Sequence, residues 1–318
     1  MKTLPVRPVE QAAPVAASRR RSGVAVWCAS AVCAASMIGC ASTTHNPPET
    51  EGPPAPETVW ALTTAGDLIR FNAGQPRRVQ ASVAVKGLQT GDALVGIDFR
   101  VAKGVLYALS RSGQIFTLDV GTGQLKPVGT GKPPVALRGQ LFGMDFNPAL
   151  DRIRLVSDAG QNLRFHPDTG AQIDFDAQTL GGQADPDLAY APGDVRQGQK
   201  PRVLAAAYTY NTKDEKLTTN FVLDGASGTL ALQGSREGVA PVESPNLGLL
   251  RTVGSLGTGA LTDAAFDISD VRNTALAAVR SAQHPSTRLY RVDLSTGQAT
   301  FVGTVGTGQP LIGMAIEP

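Results

Sequence analysis

From residue 59 onward, apolar and polar positions recur in a fixed order of short segments. First comes a nearly continuous apolar run around a small residue, as in Leu94-Val-Gly-Ile-Asp98-Phe99 and Leu141-Phe-Gly-Met-Asp145-Phe146. Looser copies are Leu188-Ala-Tyr190, Ala264-Ala-Phe-Asp267-Ile268 and Leu311-Ile-Gly-Met-Ala-Ile316. Runs of this kind predict strands buried on both faces, with another backbone close to the glycine. An alternating segment follows: Val105 to Leu109, Arg152 to Val156, Val203 to Tyr208, and Ala275 to Val279. A third strand ends in a turn, in Ile115 to Gly123, Leu163 to Gly170, Phe221 to Gly228 and Leu289 to Gly297. The fourth is short and closes on Val-Gly at Val128-Gly129, Val253-Gly254 and Val302-Gly303.

Four short antiparallel strands in each unit of roughly 45 to 70 residues predict an all-β fold, a β-propeller. Residues 59–85 supply the last three strands of a blade, and residues 311–316 supply an isolated first strand. Pairing the N-terminal strands with the C-terminal one would close the ring and leave no free edge. The count is then five blades, with surplus sequence near residues 230–248 leaving six open. An open sandwich or a solenoid would not explain why the two end fragments are complementary.

The first forty residues read as an export signal. Arg19, Arg20 and Arg21 precede a 16-residue apolar stretch from Gly23 to Ile38, which ends in Gly39-Cys40. Sixteen residues span only ~24 Å as a helix, short of a ~30 Å hydrocarbon core. The ending Met37-Ile38-Gly39-Cys40 resembles the lipobox of bacterial lipoproteins, which implies a leader over 1–39 and a lipid on Cys40. An ordinary signal peptide, or an uncleaved anchor with Cys40 as a plain thiol, is the alternative. Ser18-Arg19-Arg20 resembles a twin-arginine signal, but Ser22 stands where an apolar residue belongs. Ala41 rather than Asp after Cys40 implies, by the same resemblance, the outer membrane. Residues 40–58, with Pro47, Pro48, Pro53, Pro54 and Pro56, read as the lipidated cysteine and an extended tether to a propeller over 59–318.

Composition refines this reading. The 35 Gly and 22 Pro suit a fold rich in tight turns. The formal charge of +2 belongs to the leader: residues 1–39 hold five basic residues against Glu10, which leaves 24 basic and 26 acidic residues beyond. The remainder has no electrostatic footprint for nucleic acid. All three cysteines lie at or before Cys40, so nothing later can form a disulfide or a thiolate metal site.

The stretch Gly143-Met-Asp-Phe-Asn-Pro148, Asp151-Arg-Ile-Arg154, Val156-Ser-Asp158 and Gly160-Gln-Asn-Leu-Arg164 resembles the bacterial family called domain of unknown function 4394. Leu94 to Phe99 and the closing Thr-Gly turns share that resemblance. It implies a propeller-like fold and carries no assigned activity.

Several residues could carry chemistry. Asp119, Asp224 and Asp293, each ahead of a Ser/Thr-Gly turn, suit backbone capping, and His166 replaces this Asp in one copy. Asp98, Asp145 and Asp267 end inner strands and could converge on an axial channel, where three carboxylates suit Ca²⁺; the alternative is that they hydrogen-bond neighbouring blades. Asp185-Pro-Asp187 and Asp174-Phe-Asp176 are too short for a Ca²⁺ loop. His45, His166 and His284 show no zinc spacing. Arg152 and Arg154 share one strand face, with Gln161, Asn162 and Arg164 returning to the same rim. Paired guanidiniums and amides suit a carboxylate or a sugar; the structural alternative is that the arginines pair with Asp151, Asp158 and nearby carboxylates and lock one blade. The expectation is a non-enzymatic envelope lipoprotein that binds a protein or glycan and uses no cofactor, with Ca²⁺ as the exception. The alternative is a carbohydrate-active hydrolase or lyase working at the channel mouth.

Overall fold

Residues 49–318 other than 130–132 and 134 are described by a computed structural model, and all of them belong to the unit spanning 48–318. The leader, Cys40 and residues 41–48 lie outside the described residues.

The strands run in chain order through five sheets. Blade 1 holds β1 (Thr58–Thr63), β2 (Asp67–Asn72) and β3 (Gln75–Ala84). Blade 2 holds β4 (Leu94–Arg100), β5 (Val105–Ser110), β6 (Ile115–Leu118) and β7 (Leu125–Val128). Blade 3 holds β8 (Phe142–Asn147), β9 (Arg152–Ser157) and β10 (Asn162–Phe165). Blade 4 combines the two-residue β11 (Ala189–Tyr190) with β12 (Val203–Tyr208), β13 (Asn220–Asp224), β14 (Thr229–Gln233) and β15 (Leu249–Ser255). Blade 5 holds β16 (Leu261–Ile268), β17 (Ala275–Ser281), β18 (Arg288–Val292) and β19 (Ala299–Thr304). The last strand, β20 (Leu311–Ile316), returns to blade 1 as its innermost strand, with Val59 opposite Ile316 and Trp60 opposite Ala315. The innermost strands touch in the closed order β20, β4, β8, β12, β16 and back to β20. This is a five-bladed propeller, closed through its chain ends.

The apolar runs are continuous because each blade buries both of its faces. In β17, Ala275, Ala277 and Val279 pack into the seam with blade 4, while Leu276 and Ala278 pack into the seam with blade 1. Five such hydrophobic clusters lie among the described residues, one at each seam between blades. Full burial of a leucine such as Leu276 contributes ~1.5–3 kcal/mol, so blade-to-blade seams hold the ring together.

At the axis the inner strands approach too closely for side chains. A Cβ on Gly143 would lie 2.5 Å from the Ala205 Cα, and one on Gly96 would lie 2.7 Å from the Met144 Cβ. Gly96, Gly143, Ala205, Ala265 and Gly313 line a space of about 10 Å³, near the lower limit for one water. The expected channel is therefore plugged at this level.

The structure shifts blade 4 by one strand from the sequence reading. Val203 to Tyr208 is its innermost strand, not its second, and Ala189–Tyr190 pairs in parallel with β15 at the outer edge. The reason is steric: Ala205 meets the need for a small axial residue without the Gly-x-Asp signature of blades 2 and 3. Blade 3 is also shorter than expected. Only three strands pair, and residues 171–187 reach back through isolated bridges, Phe165 to Gln172 and Asn162 to Asp185. Residues 49–57, expected to extend the tether, are fastened to the propeller. Glu49 accepts hydrogen bonds from Thr304 N (2.8 Å) and Oγ1 (2.6 Å), and Asn72 Oδ1 accepts from Ala55 N at 2.8 Å.

Candidate functional site

The repeats bring three of the singled-out carboxylates together. Asp98, Asp145 and Asp267 occupy the same position in β4, β8 and β16, where β12 and β20 have Ala207 and Ala315. All three are buried, and an oxygen from each lies within 4.8 Å of the others. They also stitch neighbouring blades. Asp98 Oδ2 accepts from Phe146 N at 2.7 Å, Asp145 accepts from Tyr208 N, and Asp267 Oδ2 accepts from Ile316 N at 2.5 Å. Burial pushes the Asp98 and Asp145 carboxyls well up, and the neighbouring aspartates add to the rise. Burial pushes Asp267 up to about 7. Such a group is a store of protons, or a set of hard oxygen ligands that Ca²⁺ could take.

The second constellation lies in the seam between blades 3 and 4, whose apolar cluster draws mainly on blade 4. Here the sheet ends of both blades are polar. Arg154, 2% exposed, donates from Nη1 to Asp185 Oδ2 (2.8 Å) and Asn162 Oδ1 (2.7 Å). Its Nε donates to the Tyr208 hydroxyl (3.1 Å) and its Nη2 to Asn246 Oδ1 (2.6 Å). Arg164 grips the same Asp185 through Nε (2.8 Å) and Nη2 (2.7 Å). The network continues into blade 4: Gln233 Nε2 donates to Asn162 Oδ1 (3.0 Å) and Pro245 O (2.8 Å), and Asn220 Nδ2 donates to Gln233 Oε1 (3.2 Å).

Beside this network opens a cavity of about 240 Å³. Tyr208, Asn220 and Gln233 lie side by side across β12, β13 and β14 and form its buried floor. Ala149, Leu150, Leu217, Val242 and Pro245 make apolar walls, and Lys216, Arg236, Glu237 and Glu243 stand around it. Leu150 and Val242 are 64% and 83% exposed, which places apolar surface at the cavity mouth.

The residues expected on one rim thus divide between two places. Arg154, Asn162 and Arg164 converge in the polar seam, whereas Asp98 and Asp145 lie at the axis. Arg152 stays at its own turn, donating to Leu150 O and Asp151 O. Gln161 turns away, donating to Ala136 O. Asp151 pairs with Arg100 of blade 2, which also holds Asp168, and Asp158 caps Gln140 N. Of the carboxylates near these arginines, it is Asp185 that Arg154 and Arg164 hold, not Asp151 or Asp158. The turn aspartates do cap backbone, as Asp119 Oδ1 does for Thr122 N at 2.8 Å, and in the His166 copy Nδ1 plays that part by accepting from Asp168 N at 3.2 Å. Tyr208, Asn220, Gln233 and Asn246 were not singled out as site residues in the sequence, and Asp185 was weighed only as part of a Ca²⁺ loop. Their available signal was a polar residue at the end of otherwise apolar strands, in Asn220-Phe-Val-Leu and Leu-Ala-Leu-Gln233.

Fold and site together define a closed five-bladed propeller with an axial carboxylate triad and a polar cavity at one seam. The chain belongs to the family described as Domain of unknown function (DUF4394), whose model matches residues 67–315. No curated protein matches it. It is similar to a solved structure from Bacteroides uniformis, provisionally named a 6-phosphogluconolactonase, at 14% identity and a TM-score of 0.40, over 82% of this chain and 84% of that one.

Proposed function

We propose that this protein is a non-enzymatic binding module of the cell envelope, held to the outer membrane by a lipid on Cys40, whose propeller binds a protein or a glycan at the cavity between blades 3 and 4. The observation that carries the binding role is the cavity itself: apolar walls at the surface lead to a floor of buried neutral polar groups. Concave, mostly apolar sites with a few fixed polar groups are the usual form of ligand pockets. The rigid floor follows from the fold, because three adjacent strands and the Arg154 network position it.

A photo-reactive residue placed at Val242 in the full-length protein, in intact cells, tests the binding role. The expected result is an adduct with a defined envelope protein or glycan strand that is absent when the residue replaces Gln283, exposed on the loop at the far end of β17. Equal labelling at both positions, or none at Val242, would count against it. Anchoring is tested separately. Cys40→Ala is expected to move the protein from the membrane to the soluble fraction; a variant that keeps fractionating with membranes would sink the lipid anchor.

A second reading, a carbohydrate-active hydrolase or lyase, draws on the axial triad. A carboxyl pushed up to about 7 is suited to general acid–base work near neutral pH. The triad is nonetheless committed to inter-blade hydrogen bonds beside a plugged axis. That commitment puts the binding module ahead.

A further inference from the structure

The orientation of every amide along the seam is fixed by its neighbour. Arg154 Nη1 can only donate, so Asn162 must present Oδ1 to it. Gln233 Nε2 then donates to that same Oδ1 and to Pro245 O, both acceptors, which turns Gln233 Oε1 toward Asn220. Asn220 must offer Nδ2 to Gln233 Oε1. Its Oδ1 is left over, buried and without a donor among the described residues, in a side chain 1% exposed on the cavity floor. A buried acceptor without a donor costs ordinary proteins stability, so it calls for a partner. Tyr208 has the complementary surplus. Its hydroxyl oxygen accepts from Arg154 Nε, and its own proton has no acceptor among the described residues.

Tyr208 and Asn220 are cross-strand partners on the cavity floor, and an open acceptor on one with an open donor on the other is the complement of a hydroxyl, which donates and accepts at once. The floor groups are neutral. The Arg154 nitrogens are all engaged by protein acceptors, so the floor presents no free cation, and around the cavity the two cations Lys216 and Arg236 are matched in number by the carboxylates Glu237 and Glu243. A cavity of about 240 Å³ falls below the ~300–1,000 Å³ of drug-sized ligand sites, which limits the occupant to one ring. Leu150, Leu217 and Val242 offer apolar surface to the C–H face of such a ring.

We propose that the cavity between blades 3 and 4 is a sugar site: it takes one neutral sugar residue of a glycan, with a ring hydroxyl that donates to Asn220 Oδ1 and accepts from the Tyr208 hydroxyl. This rests on the binding-module reading and names its ligand class. Binding is non-covalent, and the ligand supplies the donor that the folded chain lacks.

The test is thermal unfolding of the full-length protein with glucose, galactose, mannose and N-acetylglucosamine, with glucuronate as the anionic counterpart. At least one neutral sugar is expected to raise the melting temperature by roughly 5 °C near 100 times its Kd. Asn220→Leu removes the open acceptor and Val242→Trp blocks the mouth from an exposed position; both are expected to abolish the shift. Val242→Trp lies outside the core, so it reports even where Asn220→Leu disturbs folding. No shift with any neutral sugar, a larger shift with glucuronate, or a shift that survives Val242→Trp overturns the sugar site. Should Val242 still crosslink a specific envelope protein while every sugar is silent, the sugar site fails and the binding module stands. Silence in both experiments removes both.

Discussion

Asp145→Asn is expected to leave stability almost unchanged near pH 4 and to raise it by several kcal/mol at pH 8. The folded protein holds Asp98, Asp145 and Asp267 with carboxyls pushed up by burial, to which neighbouring triad aspartates add at Asp98 and Asp145 and Asp270 adds at Asp267, whereas the unfolded chain titrates them at ordinary values. Between those ranges the native state binds more protons than the unfolded state, so stability falls as pH rises. The fall begins near pH 4 and, for Asp267, runs through about 7. A rise from 3.8 to about 7 corresponds to about 4 kcal/mol of stability present in acid and lost by pH 8. An asparagine at 145 keeps an oxygen for Tyr208 N, removes one charge, and offers its amide to the other two carboxylates. Chemical denaturation at pH 5 and pH 8 reads the effect, and equal slopes for wild type and variant would refute it. The same titration shows what neutralises the triad. Stability at pH 8 that rises with Ca²⁺, is lost to EDTA, and is absent in Asp145→Asn assigns the site to the cation; indifference to both assigns it to protons.

The triad was legible in the sequence for a specific reason. Asp98 and Asp145 stand in near-identical runs, and Asp267 stands in a looser copy, so superposing the repeats superposes the carboxylates. Ring closure was legible because the end fragments are complementary. Blade 4 was not, because close approach at the axis demands only a small residue. Ala205 satisfies that as Gly143 does and carries no mark of it. The seam site was half legible. Arg154, Asn162 and Arg164 lie close together in sequence, and strand alternation puts them on one face. Their partners do not: Tyr208 is 54 residues from Arg154 and Asn246 is 92. No local spacing announces contacts that depend on blade 4 docking against an incomplete blade 3. The network that holds Arg154 lies beside the cavity and orients its floor through Tyr208, Asn162 and Gln233.

Asp185→Ala should be among the most damaging single substitutions in the protein, at about 3–5 kcal/mol, because it strands a buried guanidinium. Asp185 is 2% exposed and takes hydrogen bonds from both Arg154 and Arg164. Arg164 is 16% exposed at its side chain and can recover some hydration, but Arg154 at 2% cannot. Asp185→Asn, which keeps one acceptor, is expected to lose less. The decisive measurement is the double substitution Asp185→Ala with Arg154→Met, compared by urea unfolding with each single change. If the loss comes from an uncompensated charge, removing the charge recovers stability, and the double variant is more stable than Asp185→Ala alone. If the loss comes instead from the collapse of residues 171–187, which replace the missing fourth strand of blade 3, the two changes add. Salt separates the cases again, since a buried pair is screened far less than a surface one and its loss should change little between low and high ionic strength. Recovery would mean that the polar seam costs stability that an apolar seam would not. On the proposed sugar site, such a seam would be kept for the groups it positions: the hydroxyl of Tyr208 and the Asn220 oxygen that has no donor among the described residues.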